Sequence, residues 1–342
     1  MNDPSQPDPN PELSAAVAQS LRGFLQCYEP LRPILYRYCR YLSRSPWDAE
    51  DLVQDTLARS FSSLGALHEP PQDPRAWLFR VASNLWIDQT RRRSVRPSLF
   101  AGDTPEAIET AGPAREVREA AGTLLVQLSP QERAAVVLKD AFDVELEDIA
   151  QILSTTVAAV KAALHRGRGK LKEPDAEVAR TPLPAALDEF CAAFNARDLD
   201  RLTALLLDHA TVEVVGAATV YGRKGARSTV LFGMLFGSTR MATVADGGQG
   251  DGIDQRFSQG VLPTPPRIEL RSYRGEPVLL SWYTHHDGEF VRAVTRVELS
   301  PEGDKLARIR NYYYTPEVIA EVCSELELPH RSNGTFRARG AS

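Results

Sequence analysis

The sequence predicts a multidomain protein in which two all-α modules, the second containing a helix-turn-helix, precede an α+β domain. Apolar residues recur every three or four positions over residues 13–95 and again over 124–172, which is the spacing of helices with one buried face. From residue 185 a helical stretch gives way to alternating segments, among them FVRAVTRVEL at 290–299. That period of two indicates strands with one buried face and predicts a sheet in the last part of the chain.

Two stretches rich in Pro, Gly, Ala and acidic residues set the boundaries between these parts. Such a composition is typical of linkers rather than of helices or strands. We therefore expect a disordered N-terminus at 1–12, a first helical module at 13–95, a linker at 96–122, a second helical module at 123–172, a linker at 173–184, and the α+β domain with a C-terminal helix at 185–330.

Composition excludes several classes of protein. With 43% hydrophobic and 25% charged residues, the 342-residue chain is ordinary for a globular protein and is not disordered throughout. Its net charge of −5 excludes a uniformly basic nucleic-acid binder. The scattered cysteines form no Cys/His pattern at metal-ligand spacing, so we expect no metal and no cofactor. No apolar run reaches the length of a membrane span and no signal peptide is recognisable, which predicts a soluble, cytoplasmic chain with no membrane partner.

The first module contains a helix with an acidic surface. Ser45 followed by Pro46 is typical of a helix start, with serine as the cap and proline at the first helical position. Its polar positions are Asp48, Glu50, Asp51, Gln54 and Asp55. Taken alone, this pattern favours a solvated helix face over a binding surface.

The next helix begins at Asp73-Pro74 and interleaves aromatic with basic residues. Its candidate nucleic-acid contacts are Trp77, Phe79, Arg80, Asn84, Arg91, Arg92 and Arg93. Aromatic rings stack on unpaired bases and cations neutralise the backbone, so this combination suits single-stranded nucleic acid. Some of these aromatic rings must also pack in the core, and we assign Trp86 there.

The second module contains LEDIAQIL, a short turn at 154–156 and VAAVKAALHRGRGKL, which together predict a helix-turn-helix. The second helix of this pair carries the cationic residues Lys161, His165, Arg166 and Arg168. A helix with a basic outer edge can enter a major groove, where phosphates position it and base edges are read. A packed helical pair without a function is the alternative.

These two modules, in this order, resemble an extracytoplasmic-function (ECF) sigma factor of bacterial RNA polymerase. The resemblance covers residues 27–172 and rests on DAEDLVQDTLARSF (48–61), RAWLFRVASNLWIDQTRRR (75–93), LSPQERAAVVL (128–138) and EDIAQILSTTVAAVKAALHRGRGKL (147–171). Four ordered motifs at family spacing are far more specific than any one of them. The resemblance implies a factor that binds core RNA polymerase and directs initiation at particular promoters.

The resemblance also assigns a role to each group of residues. The acidic helix would dock on the clamp helices of the polymerase β′ subunit, and the β subunit is a further expected contact. The aromatic helix, with the loop at 62–72 before it, would open the minus-ten element of promoter DNA and hold a flipped base. The basic helix would bind the minus-thirty-five element. Family members usually carry polar residues where this chain has Ala159, Ala162 and Ala163, so we expect readout to depend on DNA shape and phosphates.

Residues 184–315 resemble a SnoaL-like domain of the nuclear-transport-factor-two superfamily. The carrying stretches are LDEFCAAFNARDLDRLTALLLDHATVEVVG (187–216) and YGRKGARSTVLFGML (221–235), followed by the closing strands. The resemblance implies a cone-shaped α+β fold with a pocket, which could hold an unknown small-molecule ligand. Some superfamily members are enzymes, and the proton-transfer candidates here would be Asp208, His209, His285, His286, Asp287 and Tyr312. Since the sequence does not show that any two of them converge, we expect no catalytic residue and no enzyme.

Three functions are open to this sequence. We favour a sigma factor whose appended domain contacts the sigma modules within the same chain and modulates them, with the glycine-rich segment 246–252 as either a contact loop or an ordinary surface loop. A stand-alone helix-turn-helix regulator with a ligand-sensing domain and a SnoaL-like enzyme with a nucleic-acid tether are the alternatives. Charge supports DNA binding, because Arg75–Arg96 and Lys161–Lys172 each carry +5 and leave −15 on the rest of the chain.

Overall fold

The structure, a computed structural model, describes residues 10–64, 69–95, 128–170, 185–236, 266–285 and 287–335. The chain divides into two compact units, the first formed by Met1–Glu177 with Arg339–Ser342 and the second by Val178–Ala338. Both expected linkers, the glycine-rich segment 246–252 and His286 lie outside the described residues.

The first unit is all-α, as the apolar spacing predicts. Its helices are α1 (Pro11–Tyr28), α2 (Arg32–Ser43), α3 (Pro46–Leu64), α4 (Pro74–Val95), α5 (Pro130–Val136), α6 (Leu146–Ile152) and α7 (Val157–Lys170). A 3₁₀ turn at Glu29–Leu31 links α1 to α2, and a π-helical turn at Val137–Ala141 extends α5. The last two residues of the stretch expected to be disordered, Pro11 and Glu12, belong to helix α1.

Helices α2, α3 and α4 pack around a common core. The aliphatic residues buried in it include Leu35, Leu42, Leu52, Val53 and Ala82. Tyr38 is fully buried with them, and its hydroxyl lies 2.8 Å from Ser83 Oγ, so this polar group has a partner inside the core. Burial raises the pKa of Tyr38 above its ordinary value.

The second module places a helix-turn-helix at α6 and α7, as predicted. Thr156 Oγ1 caps α7 by accepting a hydrogen bond from the backbone N–H of Ala159 at 3.1 Å. Helix α5 begins with a reciprocal cap, because Ser129 Oγ accepts from the Glu132 N–H while the Glu132 carboxylate accepts from the Ser129 N–H. Gly167 lets α7 approach α5 closely, since a Cβ there would lie 2.8 Å from Val136 Cγ2.

The second unit is built on a sheet whose described strands run in the order β2-β1-β6-β5-β4-β3. The strands are β1 (Leu206–Val214), β2 (Ala218–Tyr221), β3 (Arg267–Tyr273), β4 (Glu276–His285), β5 (Gly288–Leu299) and β6 (Leu306–Asn311). Strands β1 and β6 are parallel, and every other described pair is antiparallel. A register shift between Ser281 and Trp282 makes a bulge in the β4–β5 pair, and bulges bend sheets.

Helices pack on the two faces of this sheet. They are α8 (Ala185–Asn195), α9 (Leu199–Ala204), α10 (Gly222–Ala226), a π-helical turn (Arg227–Leu231), α11 (Phe232–Phe236) and α12 (Pro316–Glu325). Ile268 of β3 packs in one core with α8 to α11. Tyr273, an odd number of positions along the same strand, faces the other side and donates its hydroxyl to Glu325 of α12 at 3.2 Å.

The predicted fold class is confirmed: two all-α modules precede an α+β domain whose bent sheet and packed helices agree with the SnoaL-like cone. Within the described ranges, no helix is both long and apolar enough to cross a bilayer.

Candidate functional site

The acidic surface of α3 is formed by fewer residues than the sequence predicts. Asp55 is exposed, whereas Asp48, Asp51 and Gln54 are half-buried on the same helix. Asp55 Oδ2 accepts a hydrogen bond from Gln89 Nε2 of α4 at 3.1 Å. Partial burial and the neighbouring Asp51 raise the pKa of Asp55, so two carboxylates repel each other on this surface. Such a surface would gain from a cationic partner.

Glu50 is a correction to that prediction, because it lies inside the module rather than on its surface. Its side chain is 0% exposed, and its Oε1 lies 2.5 Å from Arg32 Nη2 of α2. The same oxygen accepts a hydrogen bond from Gln54 Nε2 at 2.6 Å. The charge run on α3 therefore includes one carboxylate that stabilises the module and cannot reach a partner.

Helix α4 presents a polar and basic surface. Arg80, Asn84, Arg91 and Arg92 are all exposed, while the side chain of Arg93 lies outside the described residues. Trp77 is half-buried, with its ring centroid 5.6 Å from that of Tyr28. The exposed donors lie in two groups, Arg80 with Asn84 and Arg91 with Arg92, and the exposed carboxylate of Asp88 lies between them.

Phe79 is a second correction, because its ring is 1% exposed and does not form part of this surface. It packs 4.5 Å from Tyr38 and 5.3 Å from Phe142, measured between ring centroids. In this conformation Phe79 is a core residue, as Trp86 is. Alternation of aromatic and basic residues in the sequence did not distinguish inward from outward aromatic rings.

The basic edge of α7 contains two exposed residues and two arginines that are paired with carboxylates. Lys161 and His165 are exposed. Arg166 Nε lies 2.9 Å from Glu132 Oε1, and Arg168 donates to Asp140, whose carboxylate raises the arginine pKa. Both arginines stay more than half exposed, so a phosphate would compete with the carboxylates for them.

The alanines of this helix do not all face outward. Ala159 and Ala162 are exposed, as expected for a helix face without polar side chains, but Ala163 is buried against the module core. Ala163 therefore does not belong to the outer face of this helix. Two small residues still remain where longer side chains would reach base edges.

The two helical modules pack against each other through residues that the sequence reasoning missed. The ring of Phe142, in the loop between α5 and α6, meets the rings of Tyr38 and Tyr41 edge to face at 5.7 and 6.2 Å. Arg37 lies over the same ring, 5.1 Å from its centroid. The available signal was a single aromatic residue in the acidic stretch AFDVELED.

Arg133 of α5 forms the second part of this module interface. Its Nη1 donates to the backbone oxygen of Leu42 at 2.6 Å, and its guanidinium lies 5.7 Å from the centroid of Trp86. Burial lowers the pKa of Arg133 to about 10, so it remains charged at neutral pH. The interface thus joins a half-buried cation and an inserted aromatic ring to the α2–α4 core.

Among the described residues, the proton-transfer candidates of the second unit lie in several places. Asp208 is 88% exposed and pairs with Arg223, and His209 is exposed on the same strand. Tyr312 is fully buried, whereas His285 is half-buried at the end of β4. His285 Nδ1 lies 3.4 Å from Arg331 Nη1, and Asp287 pairs with the same guanidinium, so these two candidates both contact Arg331.

Two parts of the first unit match known families. Residues 27–96 match Sigma-70 region 2, and residues 118–171 match Sigma-70, region 4.

Two relatives, and the solved structure of one of them, are similar over longer stretches. The chain is 29% identical over 290 residues to the ECF RNA polymerase sigma factor SigJ of Mycobacterium tuberculosis, covering 75% of this chain and 89% of SigJ. It is 31% identical over 164 residues to the ECF RNA polymerase sigma factor SigM of Mycobacterium tuberculosis, covering 47% of this chain and 82% of SigM. The crystal structure of Mycobacterium tuberculosis SigJ is 21% identical, with a TM-score of 0.33, and covers 84% of this chain and 95% of that one.

Proposed function

Because the chain belongs to the ECF RNA polymerase sigma factors, we infer that it binds core RNA polymerase and directs initiation at particular promoters. The observation that carries this inference is the ordered pair of Sigma-70 regions 2 and 4 in one compact unit. In this role the chain binds and positions DNA and polymerase in the cytoplasm, and makes or breaks no covalent bond. If the chain were a stand-alone helix-turn-helix regulator, its match to Sigma-70 region 2 would have no functional explanation.

The acidic surface of α3 is the proposed docking surface for polymerase. Asp51, Gln54 and Asp55 are the residues that support it, with Asp48 beside them. Mutual repulsion of Asp51 and Asp55 would be relieved by a basic groove on the β′ clamp helices, which favours association over solvation. The β subunit remains a proposed contact of the second module.

Promoter DNA would meet the two basic helices. We assign the minus-ten element to Trp77, Arg80, Asn84, Arg91 and Arg92 of α4, where Trp77 is half-buried and the other four are exposed. The minus-thirty-five element would bind α7 through Lys161 and His165, joined by Arg166 and Arg168 once phosphates displace their carboxylates. Shape and phosphate contacts would supply most of the readout there, because Ala159 and Ala162 offer no polar group.

While the two helical modules are packed against each other, they cannot contact both promoter elements at the same time. Elements centred about 25 base pairs apart are separated by roughly 85 Å along B-form DNA. In the structure the modules are in direct contact through Phe142 and Arg133. We therefore propose that this is a closed state and that the modules separate when the protein joins polymerase and promoter.

Docking through α3 predicts a specific loss of polymerase affinity. Replacing Asp51 with Asn together with Gln54 with Ala should weaken binding to core polymerase about tenfold, since charge-assisted hydrogen bonds are lost. Affinity is measured with labelled protein and purified core enzyme, and circular dichroism verifies the fold. Glu147→Ala, which removes an exposed acid from α6, is the matched control. Equal affinities of the double variant and the unaltered chain would contradict the docking assignment.

The second unit is proposed to modulate the sigma modules within the same chain. A match to SigJ over three quarters of this chain cannot be confined to residues 1–177, so SigJ shares sequence with the second unit as well. Tethering gives the second unit a high effective concentration, so that even a weak contact with the modules would be occupied.

Run-off transcription tests both parts of this function. With purified core polymerase, we expect the full chain to direct initiation at a cognate promoter, and a chain ending at Lys172 to differ from it in yield or in promoter preference. Initiation by neither chain at any of a genomic set of promoters would contradict the sigma function. Identical behaviour of the two chains on every template would contradict modulation by the second unit.

A further inference from the structure

The second unit gathers two tyrosines and a buried arginine where β4 meets β5. At the bulge, Ser281 pairs with Ala293 and Trp282 with Val291, so Arg292 is the extra residue. Its guanidinium lies 5.9 Å from the centroid of Tyr283, and the Tyr283 and Tyr313 rings are 6.3 Å apart. We call Tyr283, Arg292 and Tyr313 the tyrosine–arginine cluster.

Asn333 holds this cluster in place from the C-terminal segment. Its Oδ1 accepts a hydrogen bond from Arg292 Nε at 2.6 Å. Its Nδ2 donates to the backbone oxygens of Arg292 and Tyr313, at 2.6 and 2.7 Å. Three hydrogen bonds from one side chain fix the strand, the loop after β6 and the guanidinium relative to one another, so the cluster is preorganised.

The cluster contains hydrogen-bond donors that have no acceptor among the described residues. Arg292 is 9% exposed, yet the only hydrogen bond from its side chain to a described residue uses Nε. Both terminal nitrogens of the guanidinium therefore have no partner among the described residues. The hydroxyls of Tyr283 and Tyr313 likewise have no acceptor within the described part of the chain. Burial raises the pKa of both tyrosines, which keeps them protonated and able to donate.

The cluster also carries positive charge without a matching carboxylate. Other buried arginines of this unit are neutralised, for example Arg310 by Glu213 and Arg274 by Glu325. Arg292 has no carboxylate within ion-pair distance among the described residues. A buried charge that lacks a counterion is costly, so a site of this kind gains by binding an anion.

We propose that the tyrosine–arginine cluster is a binding site for a small organic anion, a carboxylate carried on a flat apolar body. The free fork of the guanidinium matches the two oxygens of a carboxylate, and the tyrosine hydroxyls complete the donor set. The Tyr283 and Tyr313 rings meet edge to face 6.3 Å apart and place apolar surface beside the guanidinium. This site lies entirely within the second unit and goes beyond the sigma function, which does not require it.

Benzoate is the probe for this site. Titrating the full chain, followed by saturation-transfer NMR of the ligand, should give saturable binding at millimolar concentration or tighter, as expected for so small a molecule. Benzamide, its neutral analogue of the same shape, should bind at least about tenfold more weakly, because the charge-assisted contact is lost. Equal binding of the two, or benzoate binding that does not saturate, would overturn the proposal.

Variants of the tyrosine–arginine cluster test whether benzoate binds at this site. Arg292→Met should weaken benzoate binding at least about tenfold and Arg292→Lys less, since lysine keeps the charge but not the fork. Arg296→Met, four positions along β5 and paired with Glu276, is the matched control and should bind benzoate normally. If Arg292→Met does not fold, Tyr283→Phe with Tyr313→Phe removes only the hydroxyls and should still weaken binding severalfold. Unchanged affinity in the folded variants would refute the site.

Discussion

Replacing Glu50 with alanine should lower the free energy of unfolding of the first unit by about 3–5 kcal/mol. The reason is that Arg32 is 2% exposed and its guanidinium pairs with Glu50 at 2.5 Å, so the variant removes the nearer and fully buried carboxylate and leaves Glu29, whose Oε1 is 3.9 Å from Arg32 Nε. Removing an exposed carboxylate from the same helix, as in Asp55→Ala, should change stability by well under 1 kcal/mol.

Urea unfolding followed by tryptophan fluorescence measures this loss. Three of the four tryptophans, Trp47, Trp77 and Trp86, lie in the first unit, so a Trp282→Phe background reports that unit alone. Replacing both partners, Arg32→Met with Glu50→Leu, should restore most of the stability, because an apolar pair of similar volume carries no desolvation cost. A Glu50→Ala variant as stable as Asp55→Ala would mean that the buried pair contributes nothing.

Replacing Phe142 with alanine should increase the affinity of the full chain for core polymerase by about tenfold or more. The substitution removes the ring that packs against Tyr38, Tyr41 and Phe79, which costs the closed state roughly 1.5–3 kcal/mol. If only open molecules bind, the apparent Kd falls in proportion to the gain in the open fraction.

Polymerase affinity and small-angle scattering of the free protein check this expectation together. Phe142→Ala should bind more tightly and show a larger radius of gyration. Asp143→Asn, a change at the adjacent residue, whose side chain is 92% exposed and whose φ of 49° asparagine tolerates, should leave both unaltered. Weaker binding, or tighter binding without expansion, would contradict a closed state held by Phe142.

The separation of the modules also bears on Phe79. In the closed state Tyr38 covers one side of its ring and Phe142 another, which accounts for its exclusion from the DNA surface. Opening would remove only the Phe142 contact. The sequence correctly placed Phe79 on the aromatic helix α4, but the burial of its ring follows from contacts with Tyr38 of α2 and Phe142, which only the tertiary structure shows.

Local sequence was sufficient for the fold class and for the order of the modules. Apolar spacing depends on neighbouring residues, and caps such as Ser129 with Glu132 are local too, so helices and strands could be predicted from short windows. The family could also be recognised from the sequence, because each of the four motifs is one continuous stretch of the chain. The match to two Sigma-70 regions confirms that resemblance.

Side-chain burial and pairing were decided only by tertiary structure. Glu50 and Asp51 are adjacent acids on one helix, yet Glu50 is fully buried because Arg32 of α2 faces it, whereas Asp51 keeps part of its surface. Arg292 and Arg310 are basic residues of neighbouring strands, yet Arg310 has Glu213 opposite it and Arg292 has no such described partner. A charged residue is energetically acceptable inside a protein only with a partner, and that partner is brought near by the fold rather than by the sequence alongside it.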